Sequence, residues 1–329
     1  MKSVHELLSE VAGFQRSRAV LSGAELDLFS RLAANCRPAS ELAAEIGANE
    51  RALTRLLDCL VTFDLLAKEG DRYRLTESGT LLSSDHPESV LPMVLHQNTL
   101  WRNWSLLTET VRHGRNPRLE ELRSSRSEAE RAAFILAMHV IGRDLARKVV
   151  ADLDVSGRRR LLDIGGGSGT YALAFLRRHP GMTAVLYDLD HVIPLARDRF
   201  EREGLLDRVE LVAGDFYEDE LPPGADLALL SAIIHQNSPE EDLALYRKIH
   251  HALEPGGELL IRDYFMDASR TAPPRGALFA LNMLVCTPGG DTHTLDEVRD
   301  RLQAAGFAEV RQVRHGDWMD AVVSARKPA

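Results

Sequence analysis

Leu161-Leu162-Asp163-Ile164-Gly165-Gly166-Gly167-Ser168-Gly169-Thr170 reads as a short apolar strand running into a glycine-rich turn, and residues 171–178 continue it as an amphipathic helix. Glycines let the backbone turn tightly and approach a ligand closely, while the helix start behind them offers unpaired N–H groups to an anion. The same grammar extends downstream. Residues 184–188, 209–213, 225–234 and 258–263 are apolar runs of strand length; residues 191–203 and 240–253 fill two of the crossovers. This alternation predicts right-handed βαβ units and a mostly parallel sheet. Residues 295–305 then read as a helix, and 308–313 with 321–325 as a terminal hairpin around His315-Gly316-Asp317.

Upstream the pattern is helical. Apolar residues from Phe14 to Phe29 keep near-helical spacing up to Asn35, and Pro38 breaks the run. Residues 39–46, a Gly47 stop and an Asn49 cap opening a helix over 50–66 give a helix–turn–helix outline. Gly70-Asp71 is a hairpin turn before an alternating strand at 72–75, which completes a winged-helix pattern. Residues 87–150 are helical again, with Trp101, Trp104, Leu106 and Leu107 on an expected buried face and a break at Gly114-Arg115-Asn116-Pro117.

The 329 residues carry a net charge of −9, which disfavours a protein whose main work is gripping nucleic acid or an anionic membrane. Cys36, Cys59 and Cys286 are too few and too scattered for a disulfide framework or a metal knuckle. The N-terminal residues lack a signal peptide's apolar core, and no apolar run nears the ~20 residues that span a bilayer. A cytoplasmic protein without membrane partners is expected.

Asp188 closes the second strand 19 residues after Gly169, where an acid can hold ribose hydroxyls. The loop reads G-x-G-x-G, not the dinucleotide G-x-G-x-x-G. Asp163 beneath a helix N-terminus can pair with an α-ammonium group while the helix end takes a carboxylate, which suits the amino-acid end of S-adenosylmethionine. Alternatively, Asp163 caps the loop's own N–H groups. Gly214-Asp215-Phe216 follows the third strand and can take an adenine, although an Asx turn with a core phenylalanine reads the same way. His235 follows the fourth strand, just before a Ser238-Pro239-x-Glu241 capping box, at the edge where open α/β sheets keep their ligands. A neutral imidazole there can take a proton from a hydroxyl; a buried structural histidine is the alternative.

Together, 163–169, Tyr187-Asp188-Leu189, Gly214-Asp215-Phe216, His235 and Glu254-Pro255-Gly256-Gly257 resemble the class I S-adenosylmethionine-dependent methyltransferases. More narrowly they resemble the small-molecule O-methyltransferases related to plant caffeate and bacterial hydroxyindole and polyketide enzymes. The resemblance implies an α/β fold, a Rossmann-like methyltransferase sheet with an antiparallel terminal strand, preceded by an all-α winged-helix dimerisation domain. It divides the chain into a dimerisation domain at 1–95, a helical linker and acceptor-pocket lid at 96–153, and a cofactor-binding catalytic domain at 154–329. Gly165, Gly167 and Gly169 would pack on the methionine end, Asp188 with Leu189 would hold the ribose, Asp215 and Phe216 would take the adenine, and Ser231 would lie at the same edge. His235 would be the base, and Asn282 would line the acceptor pocket, for which Phe134, Met138, Phe279 and Met283 are further candidates.

Two departures stand out. Gln236-Asn237 replaces the family's Asp-Trp, and Gly289-Gly290-Asp291-Thr292-His293-Thr294 lacks the acid of its Gly-Gly-x-Glu-Arg-Thr segment. If a carboxylate normally orients the histidine, that support is absent here or is supplied by Asp263 or Asp291. A two-histidine, one-carboxylate metal site at His235, His293 and Asp263 is a further alternative, against which His293 is merely the residue before a Thr294-x-x-Glu297 capping box. C-, N- or S-methylation and a non-catalytic cofactor-binding dimer also remain open. The helix over 50–66 carries few cations and an apolar surplus, so burial against a second copy is preferred to DNA reading. The expectation is a homodimer acting on a small-molecule hydroxyl.

Overall fold

The computed structural model describes residues 2–125 and 127–329. Its contacts group Met1–Trp101 with Ser127–Val140 as one compact unit, and Arg102–Arg126 with Ile141–Ala329 as a second.

Chain order in the first unit is α1 (Val4–Glu25), α2 (Leu28–Arg31), β1 (Arg37–Pro38), α3 (Ala39–Ile46), α4 (Glu50–Thr62), β2 (Leu66–Glu69), β3 (Arg72–Leu75), α5 (Glu77–Thr80) and most of α6 (Leu91–Trp104). The Gly47 stop and the Asn49 cap form as the sequence predicts, the Asn49 side chain accepting from the Ala52 N–H. Helix α4 is shorter than expected, because Asp64 takes a left-handed φ of 59° and turns the chain into β2. Its apolar face is also not left for a second copy: Leu53, Leu57 and Leu60 are buried in the unit's own core with Leu28, Phe29 and Leu42. Asp58 of α4 is tied to the wing by Lys68 and by the Tyr73 hydroxyl. A run of exposed apolar side chains lies instead on the first half of α1: Val4, Leu7, Leu8, Val11 and Phe14.

The second unit holds α7 (Leu107–His113), α8 (Leu119–Ser124), the C-terminal half of α9 (Glu128–Asp152) and a seven-stranded sheet. Its strands are β4 (Arg160–Ile164), β5 (Thr183–Asp188), β6 (Val209–Ala213), β7 (Ala225–Ser231), β8 (Leu253–Asp263), β11 (Ala308–Arg314) and β12 (Ala321–Arg326), in the order β11-β12-β8-β7-β4-β5-β6. All pairings are parallel except those of β12, which runs antiparallel to β8 and β11. One face packs on α9, α10 (Thr170–Arg178) and α11 (Ile193–Arg202), the other on α12 (Pro239–Ala252) and α14 (Leu295–Ala304). A short parallel pair, β9 (Phe265–Met266) with β10 (His293–Thr294), flanks α13 (Pro274–Cys286). Strand order reverses between β4 and β7, so the crevice for a ligand opens at the carboxyl ends of these two strands. The fourth strand stops at Ser231 and not at Ile234. Ala232 adopts a left-handed φ of 59°, and residues Ile234–Gln236 form a 3-10 turn.

Candidate active site

Alternation along the strands sorts the carboxyl-edge residues between two faces. Leu162 and Ile164 of β4 enter the core beneath α12 and α14, so Asp163 points to the α10 face. There it is 1% exposed, and its Oδ2 accepts the Ala172 N–H at 3.2 Å. That bond ties the carboxyl to the first turn of α10. Burial pushes this carboxyl up to about 7, against the pull of the Ala172 N–H, with Asp188 raising it further.

Asp188 ends β5 on the same face. Its Oδ2 accepts the Gly167 N–H at 2.7 Å and its Oδ1 the Leu189 N–H at 2.7 Å, so the acid holds the glycine turn against the strand edge. Burial raises its pKa, with those two N–H groups opposing. A carboxylate offers about four lone-pair sites, which leaves capacity for ribose hydroxyls. The loop needs its glycines: Gly167 has a φ of 57°, and a Cβ on Gly169 would sit 2.4 Å from the Phe200 ring. Over Gly167 there is open space, with nothing within 4 Å of where a side chain would begin.

Phe216 is half-buried beside this turn and pairs with Tyr217 at a ring separation of 4.5 Å. Asp215 accepts the Tyr217 N–H, which is the Asx-turn geometry. Lys248, which the sequence reading did not single out, donates to the carbonyls of Phe216, Tyr217 and Asp219 and pins the loop. Ser231 Oγ accepts from Arg262 Nε at 2.7 Å. The Arg262 guanidinium is itself buried, over the Tyr171 ring. An adenosyl ligand with a cationic amino-acid end fits this edge: an open backbone cradle, two carboxylates beneath and beside it, and an aromatic ring.

On the opposite face, the 3-10 turn carries His235. Its Nδ1 lies 2.9 Å from Asp263 Oδ2, and Asp263 at the end of β8 is 1% exposed. Asp263 Oδ1 also accepts the Tyr264 N–H. A carboxylate only accepts, so Nδ1 carries the proton and the lone pair of the neutral ring sits on Nε2. Asp263 thus supplies the acid that Gln236 and Asn237 lack. Asp291 does not, since its Oδ1 accepts from its neighbour Thr292. The edge of the His235 ring meets Phe279 of α13 at 4.8 Å, and Tyr264 stands 5.3 Å from Phe279.

Asn282, one helical turn from Phe279, accepts from Trp104 Nε1 at 2.8 Å; indole is a donor only, so the amide oxygen faces it. Met283 is buried. Phe134 and Met138 belong to the other compact unit, where Phe134 is exposed and its ring meets His96 edge-on. The metal alternative is not assembled. His293 Nε2 is turned to the Ile234 carbonyl at 3.2 Å, and among the described residues no group of three His, Cys, Asp or Glu side chains is placed to hold an ion. No helix among the described residues is long and apolar enough to cross a membrane.

Comparison with known proteins matches residues 104–308 to the O-methyltransferase domain and residues 8–85 to the O-methyltransferase dimerisation domain. Acetylserotonin O-methyltransferase of Gallus gallus is 33% identical, over 95% of this chain and 95% of its own. The 3-hydroxy-5-methyl-1-naphthoate 3-O-methyltransferase of Streptomyces sahachiroi is 32% identical, over 94% of this chain and 91% of its own. Among solved structures, human N-acetylserotonin methyltransferase in complex with SAM superposes with a TM-score of 0.84 at 29% identity, covering 100% of this chain and 99% of that one.

Proposed function

The chain belongs to the S-adenosylmethionine-dependent O-methyltransferases of small molecules, and on that premise we propose that His235 is its general base and a phenolic hydroxyl its acceptor. The match to the O-methyltransferase domain and the O-methyltransferases among the relatives support O-methylation over the C-, N- and S-transfer alternatives and over a non-catalytic dimer. Bound at the carboxyl edge, S-adenosylmethionine supplies an electrophilic methyl group. The chain's own residues bind, orient and move a proton. Asp188 and the amides of the glycine turn hold the ribose side, Asp215 and Phe216 the base, and Asp163 acts from beneath by fixing the start of α10 against the turn.

The observation that carries the base assignment is the 2.9 Å contact between His235 Nδ1 and Asp263. It presents Nε2 as the basic nitrogen, and it stabilises the imidazolium formed as the acceptor oxygen gives up its proton. A phenol, with a pKa near ~10, needs that help at pH 7. The rings of Phe279 and Tyr264 beside His235, and the hydroxylated aromatics named for the two relatives, support an aromatic acceptor. Asn282, Phe279 and Met283 on α13 are the proposed pocket residues of this unit.

The dimerisation domain and the exposed apolar stripe on α1 support a homodimer, and the composition supports a cytoplasmic one. The test is turnover of methyl-labelled cofactor with a panel of phenols that includes acetylserotonin and 3-hydroxy-5-methyl-1-naphthoate. His235→Ala should lower kcat by roughly 10²–10⁴ with cofactor affinity unchanged; undiminished turnover would refute the base role.

A further inference from the structure

We propose that His293, backed by Asp242, Arg301 and Asn237, is a positioning group that holds the turn Ile234–Gln236 and thereby aims His235. This rests on the reading of His235 as the base. Three members of the cluster are buried, Asn237 and Asp242 fully and His293 nearly so, and Arg301 is partly buried. His293 Nε2 meets the carbonyl of Ile234, the residue before His235, at 3.2 Å and Asp242 Oδ2 at 3.5 Å. Only an N–H can face two oxygens, so Nε2 is the donor and the backbone bond to Ile234 is the shorter of its two contacts.

Asp242 is itself held from both sides. Arg301 Nη1 donates to its Oδ2 at 3.1 Å, and Asn237 Nδ2 donates to its Oδ1 at 3.1 Å. Asn237 closes the far end of the turn, where its Oδ1 accepts from the Tyr217 hydroxyl at 2.5 Å. One cluster therefore grips the turn at Ile234 and at Asn237, with His235 between. Burial, reinforced by Arg301, lowers the His293 pKa and keeps the ring neutral, consistent with a donor to a carbonyl and not a member of an ion pair.

The frame of reference matters as much as the bonds. His293 lies in β10, paired with Phe265 of β9, two residues after Asp263. The same stretch of chain thus fixes the carboxylate that grips the His235 ring and the strand whose imidazole grips the backbone one residue earlier. The backbone also approaches closely here: a Cβ on Gly290 would lie 2.4 Å from the His235 carbonyl oxygen. Proton transfer is sensitive to such placement, since a displacement near ~1 Å can cost about a hundredfold in rate.

The experiment compares H293L and H293Q in the full-length protein. Glutamine restores a side-chain N–H; leucine does not. With a phenolic acceptor, H293L should lower kcat by about ten- to a hundredfold and change KM far less, and H293Q should recover most of the loss. In an H235Q background the H293L change should add nothing, because its effect runs through His235. An equal loss in both backgrounds would make the cluster merely structural and overturn the proposal.

A second readout does not depend on the acceptor. The ring ¹⁵N signals of His235, identified by their disappearance in H235Q, should move in H293L and return in H293Q. Signals that stay in place overturn the proposal. If instead H235A retains wild-type turnover while those signals still move, the base assignment fails and the positioning contact stands. Should H293L not fold, D242N with the same signals replaces it, with calorimetric cofactor affinity as the check that the site is intact.

Discussion

Replacing Asp163 with asparagine should make the protein more stable than wild type as the pH rises, although the substitution lies under the cofactor loop. Asparagine keeps an oxygen for the Ala172 N–H but has no charge to bury. In the folded protein burial pushes the Asp163 carboxyl up to about 7, whereas in an unfolded chain it returns to about 3.9. Between those values the native state binds the proton more tightly, so stability is greatest at low pH and falls as the pH rises towards 7. Integrating the linkage relation from pH 5 to pH 8 gives a loss of roughly 2–3 kcal/mol for this one group. Asparagine loses nothing over that range, and other buried acids such as Asp242 titrate in both proteins and cancel in the difference. The stability gap, followed by guanidinium unfolding of the cofactor-free protein at several pH values, should therefore widen in favour of D163N by roughly 2–3 kcal/mol between pH 5 and pH 8. A gap that stays flat would mean that the carboxylate is ionised throughout, with the start of α10 outweighing burial, and the electrostatic account of this edge would be wrong.

The remaining expectations concern the cofactor and the base. Asp188→Ala removes the acceptor for the Gly167 and Leu189 N–H groups, and should weaken S-adenosylmethionine binding by about 1–3 kcal/mol in a calorimetric titration while leaving the fold intact; unchanged affinity would remove Asp188 from the ribose role. S-adenosylmethionine carries a net positive charge, and Asp163 and Asp188 both have raised pKa values, so binding at pH 7 should release protons, up to about half a proton from Asp163. S-adenosylhomocysteine lacks the sulfonium charge and should release fewer; equal release in buffers of different ionisation enthalpy would contradict this. Asp263→Asn should lower kcat at least about tenfold with little change in cofactor affinity, and a wild-type rate would show that His235 needs no carboxylate behind it.

Most of the architecture was legible because its signals are local. Apolar runs of strand length, the Ser238–Glu241 and Thr294–Glu297 capping boxes, and the Gly47 stop all formed where the residues predicted them. Three of the misplaced boundaries share one cause. The first helical run reads through to Asn35, the helix from Glu50 through to Leu66 and the fourth strand through to Ile234, yet each is interrupted by a residue other than glycine at positive φ: Asp27, Asp64 and Ala232. Apolar periodicity carries straight across such a residue, since tertiary packing and not the residue type imposes that conformation. The site divides in the same way. The glycine turn and Asp188 announce themselves by spacing, whereas the partner of His235 depends on β7 lying beside β8, a neighbour relation that requires the strand order. The roles of Lys248, Arg301 and Asp242 had no sequence signal: each is one polar residue on an amphipathic helix, indistinguishable from a solvated one until its neighbours are known.

The alternation of side chains along the strands also explains how one sheet edge can serve two opposed electrostatic tasks. Asp163 and Asp188 share the α10 face, close enough that each disfavours the other's charge, and they gain most from a cation. Asp263 is one residue beyond Arg262, which occupies the α10 face over the Tyr171 ring, and so it faces the other way, onto His235. If all three acids shared a face, a cationic cofactor would compete with the imidazolium for Asp263. A base at His235, as proposed, would then lose its partner at the moment it takes up the proton. Separation by one residue of register keeps the two charges apart. It follows that substitutions on the α10 face should move cofactor affinity and its proton linkage, those around Asp263 and His235 should move kcat, and a substitution that shifted both equally would have to act through the strands themselves.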